Sequence, residues 1–273
     1  MARSTTIKRV LVTGASGQLG RSLQDLTHEY PKLEFVFMDS KDLDITDSQK
    51  VKETIELGAF EHCINCAAYT NVEQAEKSPE KAFKVNAEAV KNLAFACRQY
   101  RVTLVHISTD YVFDGEKGSP YTVDDQPNPI NEYGKSKWEG EKYIQEIMDQ
   151  YYIVRTSWLY HKKYGKNFYR TILEKAKKGE KLRITDGEIG CPTNASNLAK
   201  YLLELIDSEN REYGIFHYTD GQTMSWYEFA LNILEENGLK KITSIAQDND
   251  YRSLAKRPKL SVLVKHNTNI QLN

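Results

Sequence analysis

The 273-residue sequence has no excess of either charge, with 37 Lys and Arg against 38 Asp and Glu. A basic face for nucleic acid is therefore not expected, and no run of like charges marks a binding tail. Long apolar runs are also missing, at the N-terminus and beyond it, so we predict neither a secretory signal nor a membrane span. These absences favour a cytoplasmic protein that binds neither nucleic acid nor membranes.

Cysteine is scarce, with 4 residues, of which Cys63 and Cys66 form a C-x-x-C pair. The pair lies in an apolar stretch, and the sequence has no second pair or histidine cluster to complete a zinc site. We therefore expect buried structural thiols and predict no metal-ligating residue.

The first 155 residues alternate short apolar runs with amphipathic stretches, which is typical of a parallel sheet covered by helices. Strands are predicted at 7–13, 33–38, 62–66, 102–108 and 151–156, and helices at 18–28, 48–57, 79–100 and 134–150. Right-handed crossovers then give an α/β fold with a doubly wound parallel sheet of the Rossmann type. The side chains expected to face the sheet from helix 79–100 are Ala82, Phe83, Val85, Ala89, Val90, Leu93, Phe95 and Ala96.

Beyond residue 155 the alternation loosens into loops rich in Gly, Pro and Asn. Helices are predicted there near 168–178, 196–207 and 225–236. We expect residues 156–273 to form mostly a smaller, discontinuous substrate-binding lobe, with residues 214–218 returning to the sheet as a further strand.

A glycine-rich turn, Gly14-Ala15-Ser16-Gly17-Gln18-Leu19-Gly20, follows the first predicted strand directly. One glycine permits the tight turn, one lets the backbone approach a pyrophosphate, and one lets the helix pack on the strand. The N–H groups at the helix start can then bind phosphates. This context predicts a dinucleotide site and makes residues 1–155 an NAD(P)-binding domain. The predicted contacts are Gly14, Ser16, Gly17, Gln18, Leu19 and Gly20.

Asp39 ends the second predicted strand, about 20 residues after the last glycine, where a carboxylate can hold the adenosine ribose hydroxyls. It favours NADH, because a carboxylate repels a 2′-phosphate. Ser40 and Lys41 follow at once and could accommodate that phosphate, so NADH and NADPH both stay open. Asp44 and Ile45 lie in a loop suited to bracketing the adenine ring.

Tyr133 is the only one of 17 tyrosines with a lysine four residues later, Lys137. A helix is predicted to begin there, and residues i and i+4 project from the same helix face. A lysine beside a phenol lowers the pKa of the phenol, and its ammonium can also reach the nicotinamide ribose. The pair predicts a proton donor to a ketone oxygen whose carbon receives hydride.

Ser108 and Thr109 end the fourth predicted strand, at the carboxyl edge where doubly wound sheets bind ligands. Either hydroxyl could hydrogen-bond the ketone oxygen and orient it. Both could instead simply terminate the strand.

These blocks resemble the extended short-chain dehydrogenase/reductases, and most closely the dTDP-4-dehydrorhamnose reductase family. The matching blocks, which run through most of the chain in the same order, are GASGQLG (14–20), NCAAYTNV (65–72), STDYVFDG (108–115), YGKSK (133–137), RTSW (155–158), NF (167–168), GCPT (190–193) and RP (257–258).

The resemblance implies reduction of the 4-keto group of dTDP-4-dehydro-6-deoxy-L-mannose to dTDP-L-rhamnose by NADPH or NADH. Thr109, Tyr133 and Lys137 would be the catalytic residues, and Ala67, Ala68 and Tyr69 would contact the cofactor. The implied substrate contacts are Thr70, Val72, Thr109, Asp110, Tyr111, Tyr133, Trp158, Asn167 and Arg257.

The sequence departs from the family before the Gly-x-Pro-Thr turn, where Asp186-Gly187-Glu188-Ile189 stands in place of the usual Asp-Gln. The contribution of this loop is therefore left open. Some family members use magnesium, but the resemblance assigns no ligands for it here. Monomer and homodimer remain alternatives.

Two other functions compete with this interpretation. One is another nucleotide-sugar enzyme, an epimerase, a different reductase or a dehydratase; dehydratases place an Asp-Glu pair after the strand-end threonine, whereas Asp110 is followed by Tyr111. The other is a non-catalytic regulatory subunit like the β subunit of methionine adenosyltransferase, which shares the fold and the Tyr-Lys pair.

Overall fold

The computed structural model describes residues 7–208, 211–248 and 253–265. Its strands are β1 (Lys8–Thr13), β2 (Leu33–Met38), β3 (His62–Asn65), β4 (Thr103–Thr109), β5 (Tyr151–Thr156), β6 (Leu159–Tyr160), β7 (Leu182–Ile184), β8 (Ile189–Gly190), β9 (Thr193–Asn194), β10 (Gly214–His217), β11 (Met224–Ser225) and β12 (Ile245–Gln247). Its α-helices are α1 (Gln18–Leu26), α2 (Ser48–Gly58), α3 (Val72–Lys77), α4 (Pro79–Phe83), α5 (Ala89–Tyr100), α6 (Glu132–Ile147), α7 (Phe168–Lys177), α8 (Ala195–Asp207) and α9 (Trp226–Glu236).

Six of the strands form a central parallel sheet in the order β10-β5-β4-β3-β1-β2. The chain moves outward from β1 in one direction to β2 and in the other to β3 and β4. This reversal leaves a crevice at the carboxyl ends of the strands, where doubly wound folds bind ligands. The predicted doubly wound sheet is confirmed, and β10 is the strand expected at 214–218, paired with β5.

Helices cover both faces of the sheet, as continuous apolar strands require. Val10 and Val12 of β1 pack in the apolar core beneath α1 and α8, whereas Leu11 packs in the core beneath α2, α5 and α6. The helix predicted near 196–207 is therefore part of the sheet's own covering and not of the second lobe. An amphipathic pattern gives a helix and its buried face, but not the layer on which that face packs.

The helix predicted at 79–100 is interrupted by a π-helical turn, Lys84–Glu88, between α4 and α5. Most of the predicted sheet-facing residues are buried, but Phe95 is 52% exposed, so its predicted orientation is wrong. Successive helix residues rotate by about 100°, which places Phe95 opposite Leu93 and Val90 on α5.

A smaller lobe is built from α7 and α9 with the paired strands β7 and β12. It has an apolar core of its own, formed by Tyr169, Ile172, Ala176, Leu182, Phe229, Ala230, Ile233 and Leu234. Residues 1–6 and 266–273 of the two predicted domains lie outside the described residues. Within the described part of the chain, no helix is both long enough and apolar enough to cross a membrane.

Close packing of α6 against the π-helical turn fixes the position of α6 on the sheet. The Asn86 amide donates to Ser136 Oγ at 3.0 Å and to the Tyr69 carbonyl oxygen at 2.9 Å, and it accepts from the Tyr69 N–H at 2.8 Å. A Cβ atom at Gly140 would overlap the Asn86 carbonyl oxygen. Only glycine therefore lets α6 approach this turn.

Replacement of Gly140 by alanine tests this contact. Helix propensity alone would make the change stabilising by about 1 kcal/mol. We expect a loss of about 2 kcal/mol or more in the free energy of unfolding, because the added methyl group must displace backbone. Urea denaturation measures the difference. Gly187→Ala is the control, since its Cβ would have only Thr185 Oγ1 nearby, at 3.6 Å. Equal stability of the two variants would contradict the packing described.

Candidate active site

A cavity of about 550 Å³ lies at the carboxyl end of the sheet. Its wall brings together predicted residues from distant parts of the sequence, namely Gly17, Gln18, Leu19, Gly20, Ala67, Ala68, Thr70, Val72, Thr109, Asp110, Tyr111, Tyr133, Lys137, Trp158 and Asn167. The phosphate turn is thus on the same cavity as the Tyr–Lys pair.

The turn after β1 has the geometry that a phosphate site needs. Gly14 has φ +66°, and a Cβ there would lie 2.6 Å from the Ala67 nitrogen. A Cβ at Gly20 would lie 2.7 Å from Ala15 Cα, so this glycine lets α1 pack on the turn. Gly17 is the N-cap of α1 and has no side chain to satisfy the first N–H groups of the helix. These residues fit a dinucleotide pyrophosphate.

Several predicted cofactor contacts lie outside the cavity wall. Ser16 is exposed on the turn, and Asp39 follows β2 with its carboxylate accepting from the Lys41 N–H at 2.8 Å. That hydrogen bond holds the pKa of Asp39 below its usual value. Asp44 is exposed and accepts from the Thr46 N–H, whereas Ile45 is buried in the core under α2 and does not offer its side chain to an adenine ring. The roles of Ser16, Asp39 and Asp44 remain predictions.

The two hydroxyls at the end of β4 are used differently. Ser108 donates to the Glu141 carboxylate, which is itself fully buried on α6. Thr109 Oγ1 donates to Asp110 at 3.0 Å and accepts from the Tyr111 N–H at 3.2 Å. Thr109 lines the cavity beside Tyr133, and its single proton would have to leave Asp110 before it could be donated to a ligand.

Tyr133 stands in the first turn of α6, facing Tyr111 edge-on with ring centroids 5.9 Å apart. Burial raises the pKa of Tyr133 to about 12, and a hydrogen bond with Thr109 acts in the opposite direction. The pKa of this phenol is thus raised overall, contrary to the expectation that Lys137 lowers it. The phenol therefore stays protonated at neutral pH.

Lys137 lies one turn further along α6, and only 2% of the residue is exposed. Its Nζ donates to the Ile107 carbonyl oxygen at 2.7 Å and lies 3.1 Å from His106 Nε2. Burial lowers the pKa of Lys137 to about 8, while Glu141 acts to raise it.

Beneath the Tyr–Lys pair, Glu141 and Arg155 form a fully buried ion pair with 2.6 Å between Oε2 and Nη2. Arg155 also lies over the Phe113 ring, 5.2 Å from its centroid. Because Ser108 donates to the same carboxylate, this pair joins α6, β5 and the end of β4. The ion pair therefore holds these three elements in place beneath the cavity.

The far wall of the cavity is aromatic. Trp158 stacks on Trp226 with ring centroids 3.5 Å apart, and Phe168 lies 4.5 Å from Trp226. Trp158 has φ +47°, a conformation that costs a bulky residue on the order of 1–3 kcal/mol. This strain directs the indole onto Gly190, whose Cβ would lie 2.5 Å from the ring.

A second cavity of about 290 Å³ shares Val72, Tyr111, Phe168 and Trp226 with the first, which makes the two adjacent. Arg257 lines this second cavity and forms an ion pair with Glu73 at 2.8 Å. Glu188, from the loop that departs from the family pattern, also lines it and accepts from Trp226 Nε1 at 2.9 Å.

Gln18 and Asn167 hold the two lobes together beside the cavity. Asn167 Nδ2 donates to Gln18 Oε1 at 3.0 Å, and Gln18 Nε2 donates to the Leu159 carbonyl oxygen at 3.0 Å. Asn167 Oδ1 accepts from the Arg170 N–H at the start of α7. The amide of Asn167 is thus used within the protein, although the residue stands in the cavity wall.

Sequence reasoning missed several residues that build this site, among them Asn86, His106, Glu141, Phe168 and Trp226. His106 did carry a signal, because it is a polar residue between the apolar residues Val105 and Ile107 of a strand. Glu141 carried none, since its helix is rich in polar residues. Trp226 carried none, since its contact with Trp158 depends on how the second lobe folds back.

The cysteines are all free thiols, and Cys63, Cys97 and Cys191 are buried. Cys66 follows the end of β3, so this strand ends one residue earlier than predicted. The residue is half-buried in the cavity wall. Among the residues described, no group of three or more His, Cys, Asp or Glu side chains is placed to hold a metal ion.

The family model for the RmlD substrate binding domain matches residues 8–272. The chain belongs to this family. The resemblance to dTDP-4-dehydrorhamnose reductases seen in the sequence is therefore confirmed.

Individual relatives agree with this assignment. A dTDP-4-dehydrorhamnose reductase of Aggregatibacter actinomycetemcomitans is 38% identical over 265 residues, which cover 93% of this chain and 90% of the relative. A dTDP-4-keto-6-deoxy-D-glucose reductase of Streptomyces niveus is 37% identical, covering 81% of this chain and 76% of the relative. A crystal structure of the Bacillus anthracis dTDP-4-dehydrorhamnose reductase in complex with NADP superposes with a TM-score of 0.89, at 38% identity, covering 95% of this chain and 91% of that one.

Asp110 gives a prediction for the dependence of stability on pH. Only 2% of the residue is exposed, and burial raises the pKa of its carboxyl to about 7, against hydrogen bonds from Ser261 and Thr109. The folded protein therefore binds a proton more tightly than the unfolded chain does. The contribution of Asp110 to the free energy of unfolding is therefore complete below about pH 4 and is lost as the pH rises through about 7.

We expect the free energy of unfolding of the wild type to fall, relative to Asp110→Asn, by up to about 1.4 kcal/mol per pH unit between pH 4 and 7. Urea denaturation at several pH values measures it. Asp114→Asn is the contrasting variant, because a hydrogen bond from Tyr121 lowers the pKa of Asp114. A pH-independent difference between wild type and Asp110→Asn would contradict the prediction.

Proposed function

We propose that this protein reduces the 4-keto group of a dTDP-linked 6-deoxysugar, dTDP-4-dehydro-6-deoxy-L-mannose, to dTDP-L-rhamnose with NADPH or NADH. The observation that carries the proposal is that Thr109, Tyr133 and Lys137 meet in one cavity with the phosphate turn. The similarity to enzymes of that name supports the choice of substrate. Its place of action would be the cytoplasm, as the composition favours.

When it is bound along the turn after β1, a nicotinamide cofactor supplies the hydride. Hydride addition at a ketone carbon leaves a negative charge on the oxygen, and a proton must reach that atom. The phenol of Tyr133 is protonated at neutral pH, yet it is a far stronger acid than the alcohol that forms. Tyr133 would donate this proton, and Thr109 would hydrogen-bond the ketone oxygen beforehand.

The contacts with the Ile107 carbonyl oxygen and His106 hold Lys137 Nζ at the cavity floor. Lys137 would donate an N–H that these contacts do not use to the cofactor ribose. Ala67, Ala68 and Tyr69 would follow the cofactor along the end of β3. Asp39, at the end of β2, would meet the adenosine ribose and influence the choice between NADH and NADPH.

The substrate would extend from the Tyr133 end of the cavity toward the second cavity. Trp158 offers a flat apolar face beside Thr70, Val72 and Tyr111, and a sugar ring can stack on such a face. Arg257 in the adjacent cavity supplies a positive charge suited to a diphosphate. The absence of a second carboxylate after Asp110 argues against elimination of water, and so favours simple reduction.

A second candidate substrate is the stereoisomer that differs at C3 and C5, dTDP-4-keto-6-deoxy-D-glucose, because the Streptomyces niveus relative is named for its reduction. Both sugars can be generated from dTDP-glucose by upstream enzymes. Separate incubations, with each sugar and each cofactor, distinguish the two substrates.

Tyr133→Phe tests the proposed chemistry. We expect NADPH or NADH oxidation to slow by a factor of about 10²–10⁴, because the proton donor is lost, with little change in cofactor affinity. Absorbance of the reduced cofactor measures turnover, and fluorescence titration measures affinity. Tyr143→Phe, a half-buried tyrosine on the same helix outside the cavity wall, is the control and should keep wild-type turnover. Near-normal turnover of Tyr133→Phe would remove Tyr133 from the chemistry.

A further inference from the structure

Three polar side chains form a ladder across the centre of the sheet. Thr13 of β1 pairs in register with Asn65 of β3, and Asn65 pairs with His106 of β4. Each of the three residues is at most 1% exposed. A polar row in an apolar sheet is costly unless every member is hydrogen-bonded.

The orientation of the Asn65 amide is fixed by a group that can only donate. The backbone N–H of Ala67 donates to Asn65 Oδ1 at 3.2 Å, and Thr13 Oγ1 donates to the same oxygen at 2.6 Å. The amide nitrogen of Asn65 must then face His106, where it lies 3.1 Å from Nδ1. Since an amide NH₂ group has no lone pair to offer, His106 Nδ1 is the acceptor.

An imidazole that accepts at Nδ1 and is neutral carries its proton on Nε2. His106 is neutral, because a ring that accepts at Nδ1 cannot carry a proton there, and burial holds its pKa well below the usual range. The Nε2–H group then points at Lys137 Nζ, 3.1 Å away.

A hydrogen bond at this contact requires a lone pair on Lys137, which only the neutral amine has. An ammonium on Lys137 would place one of its N–H groups against the Nε2–H group of His106, with no acceptor between them. The amine can still donate to the Ile107 carbonyl oxygen at 2.7 Å. The other titratable groups around Nζ are Tyr133 and Glu141, both on α6; Glu141 favours the ammonium but is already paired with Arg155.

We propose that His106, oriented by Asn65, is a positioning residue that favours the neutral amine of Lys137. A neutral amine lacks the charge by which an ammonium would stabilise a phenolate, so the phenol of Tyr133 keeps its proton for donation to a ketone oxygen. This consequence rests on the proposed function; the protonation state itself does not. The lysine of this site is thereby assigned a hydrogen-bond acceptor role that its sequence motif does not reveal.

The first test is the tautomer of His106 in the wild-type protein. Nitrogen-15 NMR of the imidazole rings, assigned by the signal lost in His106→Gln, distinguishes a protonated Nε2 from a protonated Nδ1. We expect the proton on Nε2. A proton on Nδ1, or on both nitrogens, would overturn the proposal. This measurement needs only the wild-type fold for its result, because the tautomer is read from the wild-type spectrum.

The second test is the titration of Lys137, followed by NMR of lysine labelled with carbon-13 at Cε and assigned with Lys137→Met. The histidine contact adds to burial, so we expect the pKa of Lys137 at or below about 8 in the wild type. In His106→Gln the amide oxygen can accept from an ammonium, and the pKa should rise by about one unit or more. His62→Gln, a mostly buried histidine at the start of β3, should leave it unchanged.

An identical pKa of Lys137 in wild type and His106→Gln would overturn the proposal. Both measurements are made without cofactor or sugar. Failure of the protein to reduce a sugar would therefore refute the proposed function without touching this inference, and a wrong tautomer would refute this inference without touching the reaction.

Discussion

Lys137 buries its amino group under the cavity floor, where an unpartnered charge would cost several kcal/mol. Neighbouring groups of the site reduce this cost by contacting the amino group. The Ile107 carbonyl at the end of β4 and the His106 ring supply partners. Gly134 lets the first turn of α6 approach the chain just after β4, because a Cβ atom there would overlap the Tyr111 carbonyl oxygen. The same approach brings Tyr133 to the end of β4 beside Thr109. The position of the proton donor is thus a consequence of how a lysine is accommodated.

The second lobe completes the cavity from the other side. Gln18, in the first turn of α1, is hydrogen-bonded to both Asn167 and the Leu159 carbonyl oxygen. The helix that follows the phosphate turn therefore also holds the second lobe in place. Trp158 accepts an unfavourable backbone conformation to stack on Trp226. The aromatic wall therefore depends on residues from both lobes, which places a substrate between the cofactor turn and the smaller lobe.

Much of the sheet could be predicted from the sequence because its signals are local. Alternating apolar runs located β1 to β5, and the glycine spacing located the turn before α1. The Tyr133–Lys137 pair was predictable because helical geometry alone puts i and i+4 together. By contrast, the ladder of Thr13, Asn65 and His106 depends on the register of three strands that are distant in sequence, and no single strand reveals it.

The features that the sequence predicted wrongly or missed also depend on tertiary packing. The layer on which α8 packs is a tertiary choice between two apolar surfaces, and its own pattern suits both. Phe95 was misplaced because hydrophobicity outweighed helical position, although its angle around α5 points to solvent. The stack of Trp158 on Trp226 joins residues from β5–β6 and α9, which only the folded second lobe brings together.

We propose that hydride reaches C4 of a dTDP-linked keto sugar in this cavity. The most direct measurement uses NADPH carrying deuterium at the transferable position of its nicotinamide, with NMR of the sugar product. We expect deuterium at C4 of the 6-deoxysugar, with oxidation of one cofactor per product. Deuterium at another carbon, or a product formed without any deuterium, would contradict it.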